Sequence, residues 1–210
     1  MADLKLVIGS KNISSWSLRP WLALKQTGAS FEEIVIPLDR PDTKAAIARH
    51  SPSGRVPVLR HGQAKVWDSL AICEYVAEMF PKARLWPADR GQRAHARSIS
   101  CEMHGGFAAM RGALPMNVIL RRPSGTLDAA ARADVDRIIA LWSECRARYS
   151  RVGPFLFGTF SIADAMYAPV VTRLRTYEIA LDGAPADYVE TMAGLPAMQE
   201  WAAAAALEPS

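Results

Sequence analysis

Three hydroxyls stand close together at Ser14, Ser15 and Ser17, after a short apolar run at 4–8 and before a helical pattern. Such a strand-to-helix junction collects unpaired backbone N–H groups and the positive end of a helix dipole, so it suits an anion or a thiolate. Asp68-Ser69 is a second candidate, set ahead of an apolar helical stretch at 70–79, where capping the helix is the simplest use of the pair. Val56-Pro57 is a third. A proline that opens a strand loses a ladder hydrogen bond and needs an edge or a special geometry. A cis bond there would turn the Val56 N–H and C=O outward, where an extended peptide could pair with them. Ser161-Ile162-Ala163-Asp164 has the spacing of a capping box and reads as structural. Farther along, Met103, His104, Phe107 and Arg111 fall on one broad face of a helical pattern, and His104 and Arg111 could polarise a carbonyl or hold an anionic substrate.

The elements that must position these groups follow from periodicity and punctuation. Residues 4–8 read as a buried strand, 9–14 as a loop, and a helix runs to about residue 26, closed by Gly28. Pro20 constrains that helix. Proline is tolerated in a first turn, which puts the N-cap near Trp16 or Ser17, makes Ser17 the cap and leaves Ser14 and Ser15 in the loop. A second strand is expected at 31–36 and a short helix at 42–50. A hairpin follows, joining 57–59 to 64–67 across His61-Gly62, and then the helix at 70–79. The order is β-α-β-α-β-β-α, which predicts two parallel strands with a right-handed crossover plus an antiparallel hairpin. Past Pro87 strand signals fade. Helices are expected at 90–114, interrupted by Gly105-Gly106 and ended by Pro115, and at 128–149, 161–179, 185–192 and 196–207. The reading is an α/β unit over 1–81, a linker at 82–88 and an all-α unit over 89–210.

Composition bounds the function classes. Half of the 210 residues are hydrophobic and 22% are charged, which suits a globular protein with a sizeable core. The net charge of +4 comes from scattered residues rather than a basic patch, so nucleic acid is not an expected partner. Cys73, Cys101 and Cys145 are odd in number and widely spaced, which argues against a disulfide framework and against a metal site, and suits a reducing compartment. No apolar stretch approaches about 18 residues and the N-terminus has no leader-like apolar core, so a cytoplasmic protein with no membrane partner is expected.

Taken in order, the Ser-Ser-x-Ser stretch, the Val-Pro strand start, the Asp-Ser helix cap and the Ser-Ile-Ala-Asp box resemble the cytosolic glutathione transferase family. The resemblance spans nearly the whole chain and implies a thioredoxin-like N-terminal domain followed by an all-helical domain. Ser14-Ser15-Trp16-Ser17 looks most like the serine-type zeta class, whose signature has cysteine where this chain has Trp16. Glu102-Met103-His104 and Leu114-Pro115-Met116-Asn117 look more like a bacterial branch of the family.

The resemblance implies that the chain activates the thiol of glutathione as a thiolate. Lowering a thiol pKa of about 8.5 by two units requires about 2.7 kcal/mol of preference for the anion. A helix N-terminus supplies roughly 0.3–1 kcal/mol, up to about 2 when buried, and a hydrogen bond to a charged acceptor about 1.5–3. One hydroxyl and the helix end therefore suffice, without a general base. No tyrosine precedes Tyr75 and no cysteine precedes Cys73, so the activator is a serine: Ser14 first, Ser15 second. By the same resemblance Val56 and Pro57 present backbone to glutathione, Asp68 and Ser69 bind its γ-glutamyl end, and Arg55 or Lys44 pairs with its glycyl carboxylate. Trp16, Met103, His104, Phe107 and Arg111 would line the pocket of a small electrophile, and the chain would be a homodimer. Three functions follow: a glutathione transferase, a zeta-like cis-trans isomerase of maleylacetoacetate type, or a binding module that no longer catalyses.

Overall fold

A computed structural model describes residues 4–208. The first half is a four-stranded sheet with strand order β2-β1-β3-β4, built from β1 (Leu4–Gly9), β2 (Glu32–Ile36), β3 (Val58–His61) and β4 (Ala64–Trp67). β1 pairs parallel to β2 across the crossover helix α1 (Ser15–Thr27), and antiparallel to β3, which forms a hairpin with β4. The alternating pleat divides the sheet's apolar residues between two layers. Leu4, Leu6, Ile8 and Leu59 face α1 and α3 (Ser69–Met79) in the large core. Val7 and Val58 face the other way, with Ile36 and with Ile47 of the short helix α2 (Thr43–Ala48). The expected mixed sheet and element order are present.

A 3₁₀ turn at Pro81–Ala83 leads into the helical half: α4 (Arg90–Gly105), α5 (Ala108–Ala113), α6 (Ala129–Tyr149), α7 (Ile162–Thr176), α8 (Gly183–Ala193) and α9 (Pro196–Ala206). α7 is its axis, buried along almost its whole length. The box at its start closes as expected: Asp164 Oδ2 accepts from Ser161 N at 2.8 Å, and Oδ1 accepts from Leu156 N at 3.0 Å. α1 lies against α3 on one side and α7 on the other, so a single apolar core runs through both halves. Among the described residues, no helix is long and apolar enough to cross a membrane.

Three expectations about element limits are corrected. α1 starts at Ser15 with Ser14 as N-cap, so Pro20 lies in the second turn. The ring removes the N–H that would answer the Trp16 carbonyl. Pro20 is nonetheless buried where α1 is wedged between α3 and α7, and that packing carries the helix through the lost bond. The pattern at 90–114 is two helices rather than one interrupted helix. α4 ends at Gly105, Gly106 turns the chain so closely that a Cβ would stand 2.8 Å from the Glu102 carbonyl oxygen, and Phe107 adopts φ +61°. The chain's own turn, and not a neighbouring helix or a substrate, therefore accounts for Gly106, whereas a Cβ at Gly105 would meet nothing within 4 Å. Finally, α7 stops at Thr176, three residues short of the expected end.

Candidate active site

The serines sit where β1 gives way to α1. The Ser14 carbonyl accepts from Ser17 N and Leu18 N, both at 3.2 Å, and opens the helix. Its side chain does not cap the helix, because Ser14 Oγ donates to Ser17 Oγ at 2.7 Å, and Ser17 Oγ also accepts from Gly9 N at 3.0 Å. Ser17 thus ties the helix start to β1, a different service from the expected cap. Ser14 and Ser15 are both buried, and among the described residues no hydrogen bond is made by the Ser15 hydroxyl. The positive helix end and two hydroxyls therefore meet next to Trp16, whose ring reaches a cavity; neither Ser14 nor Ser15 is itself among the residues that line it.

That cavity measures about 510 Å³. Arg55, Val56 and Pro57 line one wall, with a cis bond between Val56 and Pro57; Asp68 and Ser69 line another, and Trp16 and His104 close it. Two further residues, Ser53 and Trp67, belong to the lining and carried no signal in the sequence. Ser53 lies in a turn, and Trp67, the last residue of β4, is turned outward with nearly half its surface exposed. Ser69 is the informative member. It is 1% exposed, and its Oγ has no hydrogen-bond partner among the described residues. A buried hydroxyl without a partner costs roughly 1–3 kcal/mol, which a ligand's carboxylate or carbonyl would recover.

Asp68 holds this corner in place. Its Oδ1 accepts from Leu70 N at 2.9 Å and Ala71 N at 3.4 Å, capping α3. Its backbone has φ +74°, in the half of conformational space that costs a non-glycine residue about 1–3 kcal/mol. The second carboxylate oxygen, Oδ2, lies 3.1 Å from His104 Nε2 at the end of α4. The two halves of the chain therefore join at the cavity through Asp68 and His104.

The buried Arg19 and Arg173 and the half-buried Arg111 lie near one another, a group of cations that the sequence only partly announced. The Trp16 ring meets two guanidinium groups, with Arg19 Cζ 4.5 Å and Arg111 Cζ 5.1 Å from its centroid, and His104 meets it edge-on at 5.2 Å. All three guanidinium nitrogens of Arg19 are buried with no hydrogen-bond partner among the described residues, as is Arg111 Nη1. Burial first, and then the nearby Arg111 and Arg173, pull the Arg19 pKa down to about 9. Burial followed by Arg111 brings Arg173 to about 10, and burial also lowers Arg111. Arg111 Nε donates to Gly106 O at 3.1 Å and its Nη2 to Met103 O, so this cation closes the C-terminus of α4. Arg173 Nε donates to Leu114 O at 2.8 Å.

Not every expected pocket residue arrives. Met103 and Phe107 are core residues: Met103 continues the buried face of α4 with Ala96, Ile99 and Ser100, and Phe107 packs into the same core just past the helix end. Arg111 meets the Trp16 ring but does not line the cavity. Lys44 is exposed on α2 and does not line the cavity. Cys73 is fully buried, and burial pushes its thiol well above the usual range, in keeping with a core cysteine.

Residues 13–79 match the family model "Glutathione S-transferase, N-terminal domain" and residues 119–204 match "Glutathione S-transferase, C-terminal domain". The chain belongs to the glutathione S-transferase family. It is similar to a probable maleylacetoacetate isomerase of Caenorhabditis elegans, 26% identical over 94% of this chain and 92% of that one. It is also similar to a maleylpyruvate isomerase of Ralstonia, 27% identical over 82% of this chain and 84% of that one. Among solved structures, a glutathione transferase homologue from Burkholderia with bound glutathione superposes with a TM-score of 0.73, covering 98% of this chain and 99% of that one at 24% identity.

Proposed function

We propose that the protein binds glutathione in the 510 Å³ cavity and activates its thiol for attack on a small electrophile. The observation that carries this reading is the buried, unpartnered Ser69 hydroxyl in the cavity wall, close to the start of α1. Ser69 and Asp68 receive the γ-glutamyl end of glutathione, the Val56 backbone pairs with its cysteinyl residue, and Arg55 faces its glycyl carboxylate. Ser14 donates a hydrogen bond to the thiolate, with Ser15 the second candidate. To do so Ser14 exchanges its 2.7 Å bond to Ser17 for a charged acceptor, an exchange worth about 1 kcal/mol in the thiolate's favour. The helix end adds to this. No proton-accepting side chain is needed.

The family resemblance supports a homodimer in the cytoplasm, divided into a glutathione unit through residue 81, a linker at 82–88 and a substrate unit from residue 89. A second reading of the reaction has its own support. Arg19 and the half-buried Arg111 flank Trp16 and each carries a buried guanidinium nitrogen with no partner among the described residues, an environment that favours an electrophile carrying carboxylate groups. With such a substrate the thiolate would add to one carbon of a conjugated double bond, rotation would occur about the single bond that remains, and expulsion of the thiolate would restore the double bond, as an isomerase of maleylacetoacetate type requires. Calorimetric titration with glutathione tests the shared first step. Ser69→Ala should weaken binding about tenfold, the equivalent of about 1.4 kcal/mol; unchanged affinity would remove Ser69 from the site and with it the main support for this reading.

A further inference from the structure

The loop that delivers the serines is gripped from the opposite end of the sequence. Glu208, two residues past α9, accepts two consecutive backbone N–H groups: Oε1 from Lys11 N, and Oε2 from Asn12 N at 3.0 Å. Trp201 Nε1, on α9, donates to Lys11 O at 2.8 Å. The Lys11 ammonium lies 5.3 Å from the centroid of Trp21 and 5.3 Å from that of Trp201, paired with Glu33 at 2.6 Å. Asn12 Oδ1 in turn accepts from Val118 N at 2.8 Å. Two residues after Asn12 comes Ser14, whose N–H is bonded to Ser10 O at 2.9 Å within the same loop.

We propose that Glu208 is a positioning residue for the serine hydroxyls, setting the β1–α1 loop so that they meet the glutathione thiolate; the inference rests on the reading of the site given above. The chemistry selects a carboxylate. It is an acceptor-only group with two oxygens, so it answers two adjacent N–H groups at once, whereas an amide answers one and turns a donor toward the other. Hydrogen bonds to an ionised acceptor are also the shorter and stronger kind. The loop therefore loses one anchor in Glu208→Gln and both in Glu208→Ala. A hydroxyl works on a thiolate only within hydrogen-bond reach, and a displacement of about 1 Å costs up to about 100-fold in rate.

The test is made on the full chain, comparing wild type, Glu208→Gln, Glu208→Ala and Lys25→Met. Lys25 bridges α1 to Glu200 of α9 at 2.8 Å, so its replacement loosens the same brace without touching the loop. The readouts are the pKa of the bound glutathione thiol from thiolate absorbance, kcat and KM with a chromogenic aryl halide, and Tm. Glu208→Ala should raise the thiol pKa by about one unit and lower kcat about tenfold, with Glu208→Gln in between. KM for glutathione should change less than about twofold, because the Val56 and Ser69 walls are untouched. Lys25→Met should lower Tm alone. Glu208 variants that lose Tm but keep the wild-type thiol pKa and kcat would overturn the proposal and leave Glu208 a structural brace. A wild type that binds glutathione without lowering its thiol pKa would overturn the underlying reading as well.

Discussion

Trp16, the residue that departs from the serine-type signature this stretch resembles, stacks its ring with the guanidinium groups of Arg19 and Arg111. The stacking partly compensates the buried Arg19 and adds to the two carbonyl bonds that Arg111 already makes. Arg19 still has no hydrogen-bond partner among the described residues, and an uncompensated buried charge costs stability. Arg19→Met should therefore raise Tm by about 2–4 °C, the shift that about 1 kcal/mol gives a chain of this size. The same variant should lower kcat/KM at least about tenfold for an electrophile bearing a carboxylate and much less for a neutral one. A fall in Tm, or an equal loss on both electrophiles, would mean that the guanidinium is satisfied in the fold and plays no part in substrate choice. Among the residues lining the cavity, Arg55, Val56, Pro57, Asp68 and Ser69 were legible because each stands at a punctuation point of the chain, and His104 because of its place on a helical face. Arg19 and Arg173 were not. An arginine in a helical pattern reads as a solvated face, and only the wedging of α1 against α7 buries these two.

The elements that carry the site are fixed by their ends, and there the sequence was uneven as a guide. The box at the start of α7 announced itself by spacing, and Asp164 accepts from Leu156 N, Ser161 N and Ser161 Oγ. Burial outweighs those bonds and pushes its carboxyl up to about 6, against about 3.9 in an unfolded chain. The folded state then holds the proton more tightly than the unfolded one. This group's contribution to stability accordingly falls as pH rises from about 4 to 6, by about 2–3 kcal/mol, and is level above that window. Urea unfolding of wild type and Asp164→Asn across that range isolates the effect. Their stability difference should shift against wild type between about pH 4 and 6 and stay constant to pH 8; a constant difference throughout would place the carboxyl's titration elsewhere. By contrast, the start of α1 and the break at Gly106 were misjudged from the residues alone. Pro20 made a later helix start look obligatory, yet the second-turn proline is carried by tertiary packing. At Gly106 two glycines looked like a dent in one helix, whereas the close approach to Glu102 and the left-handed Phe107 end it.

At the scale of the whole molecule, the sheet and helical units share one core, with α1 as the element common to both. The order of elements was legible because each strand and helix has a local pattern. The ties that assemble the site were not: Asp68 with His104, Asn12 with Val118 and Glu208 with Lys11 join residues far apart in sequence and leave no periodic trace. They matter because the proposed chemistry draws on several segments at once. The thiolate needs the α1 start and its hydroxyls, the peptide needs the Val56 edge and the Ser69 corner, and His104 brings the helical unit to the same cavity. One titration reads this assembly directly. The thiolate absorbance of glutathione bound to the wild-type chain, followed against pH, should give a thiol pKa about two units below the free value of about 8.5, and Ser14→Ala should return it most of the way. A wild-type complex whose thiol titrates like free glutathione, or a Ser14→Ala complex that titrates like wild type, would contradict activation by the helix-start serine.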